Sequence, residues 1–432
     1  MRTIFSDREL VQHYLDVEVA LARVQAKLGI IPEKAARAIS AKAVVDNVDF
    51  ERMRERTEIV GYPILPLVEQ LSDWCEGGLG QFSHWGATTQ DIMDSADVLQ
   101  IRDALDLVEA DLVALSSILA ELARRHKSTP MAGRTHLQHA LPVTFGYKCA
   151  TWLSSIDRHL ERLSELKPRV LVGQFSGAAG TLASLGDQGL AVQDALMDEL
   201  GLGRPSITWH TMRDNFAEVT GLLAMITGTL GKIGLDVMLM MQTELGEVLE
   251  PFIQGRGASS TMPQKRNPIS SELLLAASKI VRQHHGTMLD ALVQDHERAT
   301  GPWHTEWHAL PESFIVSAGA LGQANFMLAG LEVNTKAMAR NLGATGGLIV
   351  AEAVMMGLAP DLGRQIAHDV VYDCCRSQLE SGGSFLEALL AHPDISGVIT
   401  REQLEPLVDP ENYLGAAPDM VDRYLANNTH DK

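Results

Sequence analysis

The sequence has few cysteines and a shortage of positive charge. Of its 432 residues four are cysteine, and 36 Lys and Arg stand against 55 Asp and Glu, a formal charge of −19 at pH 7. Positions 75, 149, 374 and 375 lack the paired cysteine spacing of a zinc site or a secreted disulfide framework, so we expect a reduced, cytoplasmic location. The excess of acidic residues argues against nucleic acid or an anionic membrane as the main partner.

The sequence also lacks a long uncharged apolar run. Its most apolar stretch, 219–241, is interrupted by Lys232 and Asp236, so the longest uncharged piece is 219–231, which is 13 residues. A bilayer-spanning helix needs about 20 residues. The N-terminus reads Met-Arg-Thr-Ile-Phe-Ser-Asp-Arg-Glu-Leu and carries charges where a signal peptide needs apolar residues. We therefore expect a soluble protein without a membrane segment.

The dominant pattern in the sequence is helical. Apolar residues recur in steps of 3 and 4 across 101–122 and again across 216–240. The second run keeps one stripe facing a partner helix over roughly 36 Å. It also carries apolar residues off that stripe, which is typical of a helix inside a bundle or between subunits. Because no comparable stretch alternates with period two, the sequence predicts an all-α fold.

Glycine-rich breaks divide this helical pattern. They fall at 77–86, at 251–268 and at 343–347. From them we predict a small N-terminal helical domain over 1–92 and a central bundle of long helices over 93–341. A small C-terminal helical domain follows over 342–432.

The loop at 255–268 has an unusual composition for a helical protein. It reads Gly-Arg-Gly-Ala-Ser-Ser-Thr-Met-Pro-Gln-Lys-Arg-Asn-Pro. Flexible residues precede two hydroxyls, so Ser259 or Ser260 is a candidate reactive oxygen. Lys265 would stabilise an alkoxide or a dianion derived from a carboxylate. On composition alone, a plain linker between helices fits equally well.

The same loop resembles the signature of the fumarase/aspartase superfamily, Gly-Ser-Ser-x-Met-Pro-x-Lys-x-Asn-Pro. The insertion of Ala258 before the serine pair departs from the commonest form. Segment 83–91, Ser-His-Trp-Gly-Ala-Thr-Thr-Gln-Asp, resembles the first conserved region of that superfamily, and 133–140, Gly-Arg-Thr-His-Leu-Gln-His-Ala, resembles the second. The resemblance covers nearly the whole chain. It implies a three-domain all-α fold whose long central bundle joins a homotetrameric core of about twenty helices.

The resemblance also implies roles for individual residues. Ser259 would be the general base that removes a proton from carbon, and His136 would donate a proton or organise the leaving group. Glu272 would pair with His136 and raise its pKa. Lys265 would stabilise the charge that develops on the substrate carboxylate. The expected substrate-binding residues are His84, Thr88, Thr89, Arg134, Thr135, Gln242, Ser260, Asn267 and Arg298.

No cofactor and no metal are expected. The chemistry of the superfamily requires no redox or organic cofactor. Among the clustered histidines His296, His304 and His308, spacings of eight and four give one helical pair and no third ligand. The implied partners are a small di- or tricarboxylate substrate and three further copies of the chain, with each active site shared between three subunits.

The reaction expected from the superfamily is an elimination. A proton beside a carboxylate is very weakly acidic, so it is removed only when preorganised donors stabilise the resulting dianion. The group on the neighbouring carbon then leaves, and fumarate is the usual product. The superfamily fold can also serve as a purely structural protein, but the presence of Ser259, Lys265, Asn267, His136 and Glu272 disfavours that role here.

The branch of the superfamily is harder to predict. Segments 133–148 and 297–307 resemble 3-carboxy-cis,cis-muconate cycloisomerases, which often have tryptophan or another non-acidic residue where this chain has His136. Adenylosuccinate lyases carry an additional histidine before the first region, whereas 60–66 contains none. Our preferred hypothesis is a lyase that splits an N-substituted aspartate, such as iminodisuccinate, into an amine and fumarate. The alternatives are a cycloisomerase and then an adenylosuccinate lyase.

Overall fold

The computed structural model describes residues 1–257, 261–262, 264–298 and 300–427. The protein is 69 % helical with little sheet, which confirms the all-α prediction. The helices are α1 (Asp7–Lys27), α2 (Glu33–Lys42), α3 (Phe50–Val60), α4 (Ile64–Trp74), α5 (Thr89–Arg125), α6 (Phe145–Val170), α7 (Gly189–Leu200), α8 (Asp214–Met241), α9 (Ile269–Asp290), α10 (Pro302–Ala329), α11 (Thr335–Leu342), α12 (Ala351–Leu362), α13 (Arg364–Ser381), α14 (Phe385–Ala391), α15 (Arg401–Val408) and α16 (Ala417–Asn427). The strands are β1 (Pro130–Thr135), β2 (Gln138–Thr144), β3 (Val248–Leu249) and β4 (Glu332–Val333).

Both apolar stripes of the sequence are buried in long helices. Every stripe position from 101 to 122 lies in α5 and every one from 216 to 240 lies in α8, and each is at most 4 % exposed. Two apolar residues off the α8 stripe are less covered, with Met225 46 % and Leu235 43 % exposed, whereas Leu222 is buried. The 3–4 spacing therefore predicted which helix face packs inward.

Helix α8 is also the one helix in the described ranges whose length and composition would suit a membrane span. Half of its most apolar window is buried in the structure. The core helix of a soluble protein has the same length and composition.

Contacts divide the chain into two compact units. The first unit comprises 1–112, 159–228 and 276–321, and the second comprises the described residues of 113–158, 229–275 and 322 onward. Each division point falls inside a long helix: α5, α6, α8, α9 or α10. Each of these units combines three separate stretches of chain, whereas the predicted domains 1–92, 93–341 and 342–432 are continuous segments. The domain boundaries therefore stay a prediction.

In the first unit, α1 packs against α2 and α7. Ser6 begins α1 by accepting a hydrogen bond from the backbone N–H of Glu9, and Asp49 begins α3 by accepting one from Arg52. Such caps satisfy N–H groups that the first turn of a helix leaves unpaired.

The second unit contains an antiparallel hairpin. Strands β1 and β2 pair with Thr135 opposite Gln138, and an irregularity falls between Ala132 and Arg134. Ala132 is buried in an apolar cluster with Leu342 and Ile349. The hairpin is therefore fixed to the end of α11 and to the chain that follows it.

A separate apolar core holds the C-terminal helices together. Residues from α12, α13, α14 and α15 form it, and its buried members include Val354, Leu358, Val370, Phe385 and Leu404.

Candidate active site

In the first unit, His84 is held by a buried glutamate. One carboxylate oxygen of Glu18 lies 2.6 Å from Nδ1 of His84, and the other accepts a hydrogen bond from the backbone N–H of His84 at 2.8 Å. These two bonds stabilise the left-handed backbone of His84, whose φ is +58°. Burial lowers the pKa of His84, but the charge and hydrogen bond of Glu18 outweigh burial, so the pKa is raised.

Asp91, at the start of α5, connects segment 83–91 by hydrogen bonds to the loop that contains Ser176 and Gly177. One oxygen of its buried carboxylate lies 2.8 Å from Nε2 of His210 and accepts from the backbone N–H of Ser176 at 2.9 Å. The other accepts from the backbone N–H groups of Gly177, at 2.9 Å, and Thr88, at 3.0 Å. Asp91 therefore positions the backbone of Thr88 without facing solvent.

Two predicted substrate-binding residues meet in this unit. Arg298 donates from Nη1 to the hydroxyl of Thr88 at 2.8 Å and from Nη2 to the carbonyl of Ala178 at 2.8 Å. They lie 210 residues apart in the sequence. Thr89 is the first residue of α5 and is partly exposed. A hydroxyl beside a guanidinium is an arrangement that can bind a carboxylate.

In the second unit, His136 occupies the turn of the β1–β2 hairpin. His136 and Leu137 form a two-residue loop, and both have positive φ, +51° and +63°. That is the backbone of a type I′ turn, which normally favours Asn-Gly. Thr135, His136 and Leu137 are exposed, so the histidine stands at the tip of the hairpin.

Arg134 holds this hairpin in place. Its two Nη atoms donate to the two carboxylate oxygens of Glu247 at 2.9 and 2.7 Å, and Glu247 is fully buried. Glu247 also accepts from Asn341 at 2.9 Å. Such a bidentate pair fixes the orientation of the guanidinium. Within the chain the side chain of Arg134 is therefore engaged structurally, and its role in substrate binding stays a prediction.

His139, on β2 beside this pair, has a lowered pKa. Burial lowers its pKa, the Arg134 guanidinium lowers it further, and Glu247 opposes both. Its Nδ1 is buried and has no hydrogen-bond partner among the described residues. The two histidines of this region therefore differ in environment, since His136 is exposed to solvent whereas Nδ1 of His139 is buried.

The 255–268 loop closes at its base. The backbone N–H of Asn267 donates to the carbonyl of Gly257 at 3.1 Å, and Gly257 has φ +68°. A Cβ at that position would lie 2.7 Å from the carbonyl oxygen of Asn267, so glycine is required there. Arg256 donates to Ser270 and Gln323, both at 2.6 Å, which anchors the start of the loop.

Glu250 fixes the helix that follows the loop. Its carboxylate accepts from the backbone N–H groups of Ser270 at 3.0 Å and Ser271 at 2.8 Å, in the first turn of α9. A carboxylate there satisfies unpaired N–H groups and complements the helix dipole. Glu272 lies in the same turn and is exposed.

Lys265 is the exposed cation of the loop. No ion pair to its side chain occurs within the described residues, so its charge is available to a ligand. Gln242 is likewise exposed, in the turn after α8. The predicted Ser259 and Ser260 lie outside the described residues.

The predicted site residues thus fall in both units. His84, Thr88, Thr89 and Arg298 belong to the first, and Arg134, Thr135, His136, Gln242, Lys265, Asn267 and Glu272 to the second. The structure joins Thr88 to Arg298, whereas in the part of the chain it describes no hydrogen bond joins His136 to Glu272. The His136–Glu272 pair stays a prediction. Sequence reasoning did not assign roles to four buried acids that hold these residues, Glu18, Asp91, Glu247 and Glu250. Apart from the bond from Thr88 to Asp91, their partners lie 20 or more residues away in the sequence, so no spacing pattern marks them.

Family models match most of the chain. A model described as "Lyase" matches residues 1–282, and one described as "Adenylosuccinate lyase C-terminus" matches 347–424. The chain belongs to the fumarase/aspartase superfamily of lyases. The predicted resemblance is thereby confirmed.

Similar superfamily members have several activities. Trans-aconitate decarboxylase 1 of Mycosarcoma maydis is 50 % identical and covers 99 % of this chain and 86 % of its own. The 3-carboxy-cis,cis-muconate cycloisomerase of Pseudomonas aeruginosa is 47 % identical, and the match covers 99 % of this chain and 94 % of the cycloisomerase. N-acetyl-S-(2-succino)cysteine lyase of Dickeya dadantii is 39 % identical, and the match covers 98 % of this chain and 93 % of that lyase.

A solved structure shares the fold. The crystal structure of fumarate lyase from Mesorhizobium sp. BNC1 matches with a TM-score of 0.93 and 55 % identity. The match covers 99 % of the present chain and 97 % of the fumarate lyase chain.

Proposed function

We propose that the protein is a lyase that splits an N-substituted aspartate, such as iminodisuccinate, into an amine and fumarate. A base removes the proton from the carbon beside one carboxylate. The electron pair forms the double bond of fumarate, and the C–N bond breaks as the nitrogen gains a proton. Ser259 is the proposed base and His136 the proposed proton donor or organiser of the leaving amine.

The exposed position of His136 carries this proposal. An imidazole can carry a proton on a ring nitrogen and is therefore suited to protonating a departing amine. The Arg134–Glu247 pair fixes the hairpin that carries it, and the left-handed turn projects it into solvent. Strained backbone at such a position is typical of functional sites.

The relatives support elimination from a substituted succinate. One similar structure is that of a fumarate lyase, and the name of the Dickeya dadantii enzyme specifies a 2-succino group on sulfur. Lys265, Asn267 and Thr88 with Arg298 are proposed to bind the carboxylates of the substrate. Glu272 is proposed to pair with His136.

A second candidate activity is the lactonising 3-carboxy-cis,cis-muconate cycloisomerase. The 47 % identity to the Pseudomonas aeruginosa enzyme favours it. Adenylosuccinate lyase ranks third, because its C-terminal family model matches but 60–66 lacks the additional histidine.

The test offers each substrate to the purified protein. Iminodisuccinate and other N-substituted aspartates are expected to give fumarate, followed by its ultraviolet absorbance, while 3-carboxy-cis,cis-muconate and trans-aconitate are not turned over. Ser259→Ala is expected to abolish turnover with an unchanged helical circular dichroism signal. The matched control, Ser377→Ala on an exposed face of α13, keeps full activity. Turnover of carboxymuconate without fumarate from any aspartate derivative would contradict the proposal.

We further propose that the protein works as a cytoplasmic homotetramer whose sites each draw on three subunits. In the single chain, large apolar residues of α8 and α9 are exposed, among them Met225, Leu235, Leu273 at 48 % and Ile280 at 45 %. Apolar side chains exposed along long helices are typical of an oligomer interface.

A further inference from the structure

The first unit contains a cavity of about 370 Å³ that the proposed reaction does not use. Its walls come from the segment before α1 and from α1, α3, α5 and α10. A neighbouring cavity of about 450 Å³ shares Asp7, Leu10, Tyr14, Thr57 and Pro63 with it. A small molecule therefore has room at this place within a single unit.

Tyr14 is buried between the two cavities. It is 2 % exposed and lines both of them. Its hydroxyl makes no hydrogen bond to any residue that the structure describes. Buried tyrosine hydroxyls nearly always have a partner, so this oxygen is a polar group that a ligand would satisfy.

Asp97 contributes a carboxyl group to the same cavity. No hydrogen bond or ion pair reaches that group from the described parts of the chain, although Arg213 lies near. Arg213 is already engaged by Asp94 and Glu306. Burial and the neighbouring Asp94 carboxylate raise the pKa of Asp97 well above its ordinary value. Within the described residues, the half-buried carboxyl of Asp97 therefore has no cation of its own.

The lining has one sign of charge. Asp7, Asp97 and Glu306 face the cavity, and among the described residues no Lys, Arg or His lines it. The remaining wall is largely apolar, with Phe5, Met93, Trp307, Leu310 and Pro311. An acidic end beside an apolar and aromatic wall favours a cation that carries an apolar body.

We propose that this cavity binds a small organic ammonium ion with an aromatic or aliphatic body. The ammonium group donates hydrogen bonds to Asp97 and to the hydroxyl oxygen of Tyr14, and the body packs against Trp307 and Met93. The inference does not depend on the proposed lyase activity, since it uses none of the predicted catalytic residues.

The test measures binding of tyramine to the full-length protein by calorimetry and by thermal shift. Tyrosol, the same molecule with a neutral hydroxyl in place of the ammonium group, is the matched ligand control. Tyramine is expected to bind and to raise the melting temperature, and tyrosol to bind at least about tenfold more weakly. Failure of tyramine to bind, or equal binding of tyrosol, overturns the proposal.

Variants locate the site. Asp97→Asn is expected to weaken tyramine binding by about tenfold or more, whereas Asp361→Asn, on an exposed part of α12, leaves it unchanged. Tyr14→Phe removes the hydroxyl but keeps the ring, and is expected to weaken binding about threefold or more. Circular dichroism checks that each variant is folded. Wild-type affinity in both folded cavity variants would show that tyramine binds elsewhere and overturn the assignment.

Discussion

Arg213 is a fully buried side chain that neutralises two buried acids. It donates to Asp94 at 2.8 and 2.9 Å and to Glu306 at distances from 2.6 to 3.1 Å. Its guanidinium also lies over the rings of Trp209 and Phe216, 4.9 and 4.7 Å from their centres. Four of the five polar hydrogens of the guanidinium are thus engaged by carboxylate oxygens, and these bonds together with the ring contacts offset the cost of burial.

Replacing this arginine is expected to be severely destabilising. Arg213→Met would leave two buried carboxylates without a cation, so the free energy of unfolding should fall by about 3–5 kcal/mol. The matched control is Arg204→Met, because Arg204 also contacts two acids, Asp194 and Asp198, but is half exposed. That variant should lose little stability. Urea unfolding followed by circular dichroism measures both, and equal losses would refute the argument.

The pair of His84 and Glu18 makes stability depend on pH. Because the folded pKa of His84 is raised, the pair stabilises the folded state fully below the unfolded value of about 6.5. That contribution is lost as pH rises through the folded pKa. The advantage of wild type over Glu18→Gln in the free energy of unfolding should therefore be largest below about pH 6.5 and shrink as pH rises through the folded pKa of His84.

The control for this pH dependence is Glu55→Gln, which alters an exposed glutamate of α3. Its difference from wild type should stay constant over the same range. Urea unfolding at several pH values provides the comparison, and a Glu18→Gln difference that does not vary with pH would exclude a charged His84 as the source.

At the scale of elements, the long helices could be predicted and the hairpin could not. The stripes in α5 and α8 repeat over many turns, so their spacing is unambiguous. The hairpin is short, its register breaks between Ala132 and Arg134, and its turn is His-Leu where Asn-Gly is usual. Neither period-two alternation nor turn chemistry therefore marked it.

The same contrast holds for the candidate site. The motif residues could be picked out because they lie in contiguous segments that resemble family signatures. Their supports could not, because Glu247 lies 113 residues from Arg134 and Glu18 lies 66 from His84. Only the folded chain brings those carboxylates to their partners.

The backbone of the hairpin turn is expected to be strained at Leu137, whose φ is +63°. A residue with a Cβ at positive φ costs about 1–2 kcal/mol, and Leu137 is 73 % exposed, so it contributes little burial. Leu137→Gly should raise the free energy of unfolding by about 1 kcal/mol. Leu137→Ala keeps the Cβ and should give no such gain. Thermal unfolding distinguishes the two, and an equal effect of both variants would mean that the backbone is not strained.

At the scale of the whole molecule, the negative net charge opposes binding of the negatively charged substrate that the proposed function requires. A molecule of charge −19 repels a di- or tricarboxylate on average. Salt screens that repulsion beyond about 8 Å, so attraction has to be local. Lys265 is exposed and, within the described residues, unpaired, which gives the 255–268 loop the local positive charge that such a substrate needs. On the proposed function, the loop then attracts the substrate locally, and the bulk charge acts on solubility alone.

The proposed sharing of sites between subunits predicts complementation. A His136→Asn variant and a Ser259→Ala variant should each be inactive alone. If a site takes its histidine and its serine from different copies, random exchange of subunits leaves about a quarter of sites with both wild-type residues. Mixing the two variants under conditions that dissociate the oligomer, and then reassembling them, should restore about a quarter of wild-type fumarate production. Each variant taken through the same treatment alone is the control. Light scattering verifies that the reassembled species is a tetramer, and inactive mixed tetramers would show that one chain supplies both residues.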